Sequence, residues 1–135
     1  MDTNGNTKEL IKDLCCRLSY GVKAQYYGID EEDTMYDTID SIYVIGNGTV
    51  EVGIGQYGLN IEDIKPYLFP LSSMTEEQKK EFDQLLELEL KVINDEINHT
   101  QATAFEVDFY HKHHLDWRGL IPKGIALDAT GLNIY

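Results

Sequence analysis

A chain of 135 residues has the length of one domain, and its 42% apolar content can form one core without disulfide or metal staples. Its 11 basic and 24 acidic side chains leave a formal net charge of −13. Residues 1–67 hold 5 basic against 12 acidic groups and residues 68–135 hold 6 against 12, so the acidity is spread and not a tail. A field of that sign repels phosphate backbones and anionic lipid, which excludes direct nucleic-acid or membrane-surface binding without a locally basic site. Any partner steered by charge is expected to be basic.

In chain order, Asn6 with Glu9 reads as a helix start, and Leu10, Ile11, Leu14, Cys15 and Leu18 follow at helical spacing, predicting a helix over 7–18 with Cys15 on its buried stripe. Cys15 and Cys16, the only cysteines, are sequence neighbours, so no disulfide framework is expected and both should be free thiols. Residues 21–27 read as a strand with Val22, Ala24 and Tyr26 on one face. Asp30, Glu31, Glu32, Asp33, Asp37 and Asp40 then fall in a segment without Lys or Arg, where self-repulsion predicts an exposed loop and an acidic partner surface. The clearest local signal is a hairpin: residues 41–45, the turn Gly46-Asn47-Gly48, and a second arm alternating Val50, Val52 and Ile54 with Thr49, Glu51 and Gly53. A short strand over 59–67 is expected before Pro66 and Pro70 interrupt regular structure.

From Ser73 the period changes to 3.6. Ser73 with Glu76, or Thr75 with Gln78, supplies a capping box, and Phe82, Leu86, Leu90, Ile93 and Ile97 form one stripe. Asn98, His99 and Thr100 can break that helix, and a second helix over 101–115 would bury Ala102, Phe105 and Phe109; the alternation of Phe105, Val107 and Phe109 leaves a strand there as the alternative. The tail after Trp117 is expected to be irregular, with Ile121, Ile125, Leu127 and Ile134 on the core. The whole reads as a single α+β domain, 1–135: a small antiparallel sheet of three or four strands packed against an N-terminal helix and a C-terminal helical pair whose apolar stripes cover it.

Chemistry-bearing patterns are few. Gly53, Gly55 and Gly58 match the dinucleotide fingerprint GxGxxG, but such a turn must open a helix, and residues 59–70 hold two prolines and no helical stripe, so no cofactor is expected. On a helix Asp108, His111 and His114 would share a face and could hold zinc or iron, although helical His pairs usually stand four apart and no further ligand completes the set. The alternative is a solvated helix end. His114, Asp116, Trp117 and Arg118 form the most mixed-charge spot in the chain. Arg118, one of two arginines, could clamp an anionic ligand or pair internally with Asp116 or Asp128 to anchor the tail. No catalytic residue is assigned. No apolar run approaches the length of a membrane span, and Met1-Asp2-Thr3-Asn4 has neither a basic nor an apolar leader region, so the chain is expected to be soluble and cytoplasmic, in no stated oligomeric form.

Residues 13–23 (DLCCRLSYGVK), 64–78 (IKPYLFPLSSMTEEQ), 114–121 (HLDWRGLI) and 123–135 (KGIALDATGLNIY) resemble small uncharacterised proteins encoded by Bacteroides phages and prophages. Similar family members often have Pro where Ser19 stands and Leu where Ile125 stands, and the spacer that holds the acidic segment is where they differ most. The resemblance implies a phage or prophage setting in a bacterial host cytoplasm and carries no activity, so no site residue transfers. The expectation is an accessory protein that acts by binding a basic host or phage protein. The alternatives are an acidic nucleic-acid mimic or anti-defence protein, and a small enzyme or metal-binding protein centred on the His-rich segment.

Overall fold

The computed structural model describes residues 3–27, 34–94 and 99–135. Its elements are α1 (Thr3–Arg17), β1 (Lys23–Tyr27), β2 (Thr34–Val44), β3 (Val50–Ile54), β4 (Tyr57–Asn60), β5 (Lys65–Leu68), α2 (Glu76–Asn94), α3 (His99–Lys112) and β6 (Leu127–Asp128), with 3-10 turns at Leu18–Tyr20, Ile61–Asp63 and Leu71–Ser73. The class is α+β. The sheet has six strands in the order β4-β3-β2-β1-β5-β6, antiparallel except for the parallel β5–β6 pair.

The sheet is larger than the three or four antiparallel strands expected, since residues 57–60 and 65–68 form two separate strands and the tail adds β6 in parallel, and two further expectations are corrected. The acidic segment is not a loop up to Asp40: β2 starts at Thr34 and pairs with β1 through Thr38. Thr34, Tyr36, Thr38, Ile39, Ile42, Tyr43 and Val44 are good strand formers, and Asp37 and Asp40 stay exposed, so their charges remain hydrated while the backbone pairs. Asp30, Glu31, Glu32 and Asp33 lie outside the described residues. Pro66 does not end regular structure either. It sits in β5 opposite Ala24, one residue before β6 begins opposite Tyr67, so its missing N–H falls where β5 is not yet flanked on both sides.

The hairpin forms as expected. Ile45 donates to Thr49 across the turn, Gly48 takes φ +84°, and the Asn47 side chain accepts from the Thr49 amide at 2.9 Å. A bulge between Ile39 and Ser41 adds one residue to β2, which keeps Ile39 and Ile42 on the core side while Tyr36 and Tyr43 both face out. The three glycines of the fingerprint serve the β3–β4 hairpin. Gly55 supplies its positive φ of +58°, and Gly53 and Gly58 are cross-strand partners on the outer face.

The core cluster joins Val22, Ala24, Tyr26, Ile39, Val52, Ile54, Ile61, Ile64 and Leu68 to Leu10 and Leu14 of α1 and to Leu120 and Ala126 of the tail. Neither α2 nor α3 contributes a member among the described residues, so α1 and the tail cover the sheet, not the helical pair. On the other side of β5, Tyr67, Ala129 and Ile134 close a second small cluster with Phe69 and Leu127. Within α1 the buried positions are Leu10, Asp13, Leu14 and Arg17, while Cys15 is exposed, against expectation. The helix is rotated so that an acid and a base, three and seven residues after Leu10, face inward.

The capping box at α2 is the Thr75–Gln78 pair, each side chain bonding the other's amide at 3.0 and 3.1 Å. α2 docks on α3 through Phe82, whose ring lies 5.2 Å from Phe109 and 5.7 Å from Tyr110, and through Glu81, which takes Lys112 at 2.9 Å and His113 at 3.0 Å. The helix reading of 101–115 holds over its strand alternative. Leu90, Ile93, Ile97 and Ala102 lie outside the residues whose side chains are described.

If α1 is the cover of the sheet, Leu14→Ala costs about 2–5 kcal/mol of stability, whereas Leu88→Ala, on an α2 side of a residue 48% exposed, changes it by less than about 0.5 kcal/mol. Urea unfolding of both variants measures the difference.

Candidate functional site

α3 ends in a Schellman motif: Leu115 N–H bonds the Tyr110 carbonyl at 2.8 Å and His114 N–H bonds that of His111 at 3.1 Å. His114 takes the left-handed position usually given to glycine, at φ +56°. The chain then leaves α3 alongside the end of β5, where Phe69 donates to the His114 carbonyl and Asp116 donates to the Phe69 carbonyl, both at 2.8 Å. This pairing brings residues 114–118 against α1.

There the two arginines of the chain converge on one acid. Asp13, fully buried, accepts from Arg17 Nε at 2.6 Å and lies 3.3 Å from Arg118 Nε. Arg17, also fully buried, donates through Nη2 to the Leu115 carbonyl at 2.7 Å. The Arg118 guanidinium lies over the Trp117 ring, 4.3 Å from its centroid. Burial pushes the Asp13 carboxyl above its ordinary value, against the pull of Arg17 and Arg118. Arg118 therefore makes an internal ion pair, but with Asp13 and not with the expected Asp116 or Asp128. Asp116 accepts from the Leu120 and Ile121 amides at 2.8 and 2.9 Å, which folds the turn after Trp117, and Asp128 accepts from its neighbour Thr130.

The histidines are dispersed, not pooled. His111 is buried and accepts at Nε2 from the Trp117 indole at 3.1 Å, which places its own proton on Nδ1. His114, beyond the end of α3, stacks on the Tyr135 ring at 3.7 Å and 12°. Asp108 accepts from the Tyr20 hydroxyl at 3.2 Å. The helical face assumed for Asp108, His111 and His114 is thus not formed, and among the described residues no group of three His, Cys, Asp or Glu side chains could hold a metal ion. The solvated helix end is also corrected: burial, then the Arg17 charge, lowers both His111 and His114 to about 4.

Reading the sequence missed Asp13, Arg17 and Tyr135. Tyr135 hydroxyl donates to the Tyr67 carbonyl at 2.7 Å and accepts from the Lys23 amide at 2.8 Å, pinning the tail across β1 and β5, and burial raises it to about 12. The Asp13–Arg17 spacing of four was visible, but such a pair on an exposed helix face looks the same.

No protein-family model, curated protein or solved structure matches the chain. The cluster ties α1 to the tail through the Asp13–Arg17 and Asp13–Arg118 ion pairs, while four of its buried polar atoms, Asp13 Oδ1, Arg17 Nη1, His114 Nδ1 and Arg118 Nε, have no hydrogen-bond partner among the described residues.

Both histidines are neutral in the fold and titrate near 6.5 when unfolded, so the unfolded chain binds the extra protons. The stability they support is full above about pH 6.5 and is lost as pH falls towards 4. His111→Gln should flatten the fall of the melting temperature between these values; an unchanged slope would show that His111 does not carry it.

Proposed function

We propose that the protein is a phage or prophage accessory protein that acts in the host cytoplasm by binding a basic protein partner, not by catalysis. One observation carries the reading. Residues 24–64 contain nine acidic side chains and no Lys, Arg or His; among the described residues Asp37, Asp40 and Glu51 of this stretch stand on β2 and β3, in the β2–β3–β4 half of the sheet. A basic partner is attracted to such a half by charge, with salt weakening the attraction. The setting rests on the resemblance to phage and prophage proteins.

The hydrogen bonds of Asp116 to the Leu120 and Ile121 amides, of Trp117 to His111, and the Arg118–Asp13 ion pair support binding over an enzyme centred on the His-rich segment, since these groups are held in structural contacts. Nucleic-acid mimicry draws on the same charges but needs them in a row. Asp37 lies beside Tyr26 and the Gly55 turn on the core side, whereas Asp40 lies against Gly53 on the outer face, so the two do not form one.

Affinity capture from host cells at low and high salt tests the reading, with Arg118→Ala alongside. Basic proteins released by salt, and a lower melting temperature for Arg118→Ala with capture retained, are expected. Salt-insensitive capture of neutral or acidic proteins contradicts the reading, as does an enzymatic activity lost in a stable Arg118→Ala fold. Displacement of host proteins from DNA by the wild type would favour mimicry.

A further inference from the structure

The outer face of the β2–β3–β4 half carries a tyrosine laid down on the sheet. Tyr43 stands opposite Glu51 in the β2–β3 register and reaches over β3 to β4, where a Cβ on Gly58 would collide with its hydroxyl. The hydroxyl donates to Glu51 Oε1 at 3.2 Å. Neighbouring strands are about 4.8 Å apart, so a side chain that spans from β2 to β4 must lie along the sheet and not stand up from it. Gly53, opposite Gly58, makes the same room for Asp40, whose carboxylate accepts from Ser41 Oγ at 3.0 Å and occupies the space a Cβ would need. Tyr43 is left 39% exposed, with the Glu51 carboxylate on its hydroxyl and the Asp40 charge close enough to act on it.

No cation answers these carboxylates among the described residues: neither Asp40 nor Glu51 has a salt bridge, and the nearest Lys or Arg in sequence are Lys23 and Lys65. An aromatic face with flanking carboxylates suits a guanidinium, which is planar, stacks on rings and donates in a fork, better than it suits an ammonium. The protein makes this arrangement internally, where Arg118 lies over Trp117 and pairs with Asp13.

We propose that Tyr43, Asp40 and Glu51 form a docking site for an arginine side chain on a basic protein segment, the guanidinium stacking on the Tyr43 ring and bonding the two carboxylates. The proposal rests on the basic-partner reading and specifies its surface and its chemistry. Lysine-only segments would bind through charge alone.

The test titrates the full chain into two labelled peptides of equal charge and length, one with arginine and one with lysine alternating with glycine and serine, followed by fluorescence anisotropy at low and high salt. The arginine peptide should bind about two- to fivefold more tightly for each arginine engaged. Tyr43→Ala and Asp40→Asn should each bring it down towards the lysine peptide, and Tyr43→Phe, which keeps the ring, should preserve the preference; circular dichroism checks each fold. Equal binding of both peptides by the wild type, or a preference untouched in Tyr43→Ala, overturns the arginine site and leaves the basic-partner reading standing. No binding of either peptide at low salt overturns both. A dimer seen by light scattering that Tyr43→Ala disperses would assign the face to a second copy and overturn the proposal.

Discussion

The Asp13 carboxylate, withdrawn from water between two guanidiniums, is the constraint on which the rest of the structure hangs. A buried ion pair adds little net stability, but removing one partner leaves an uncompensated charge in the interior, at several kcal/mol. α1 contributes Asp13 and Arg17, and residues 114–118 contribute Arg118 and the Leu115 carbonyl. Neither segment can shift without stranding a charge. That lock fixes where α3 ends, which strand edge the chain then follows, and how the tail returns over the sheet. The apolar core supplies the driving force, and the ion cluster selects the single arrangement in which α1 and the tail close it together.

The neutral histidines follow from the same constraint. Both guanidiniums gather on Asp13, so another positive charge at His111 or His114 would meet the like charge of Arg17. Burial and the Arg17 charge both hold the rings neutral. Trp117 then uses His111 as an acceptor and Arg118 as a cation over its ring, which makes one indole the joint between α3 and the ion cluster.

Local signals were legible where one residue type has one use. Asn47-Gly48 specified the hairpin turn, the alternation of Val22, Ala24 and Tyr26 specified β1, and of the two capping boxes offered before α2 the structure forms Thr75 with Gln78. Signals with two uses were not. Asp37 and Asp40 read as loop because charge was weighed above the strand-forming residues between them, and Pro66 read as a break because its partner Ala24 is distant in sequence. The orientation of α1 depends on Asp13 and Arg17 facing inward, which only becomes favourable once Arg118, more than a hundred residues later in the chain, arrives to meet them. For the same reason the sequence marked Arg118 as an anchor but not its partner. The division of charge between the two ends of the sheet, paired near α1 and, among the described residues, without a salt bridge at β2–β4, is likewise a property of the folded arrangement.

The measurement that tests the lock most directly is a double-mutant cycle between Asp13→Asn and Arg118→Gln, read by urea unfolding of the wild type, the two single variants and the double. If the buried carboxylate ties the tail to α1, the two substitutions are coupled by about 1 kcal/mol or more, the double variant being less destabilised than the sum of the singles. Additive effects would mean that Asp13 and Arg118 stabilise the fold independently, and the account of a shared ionic lock would be wrong.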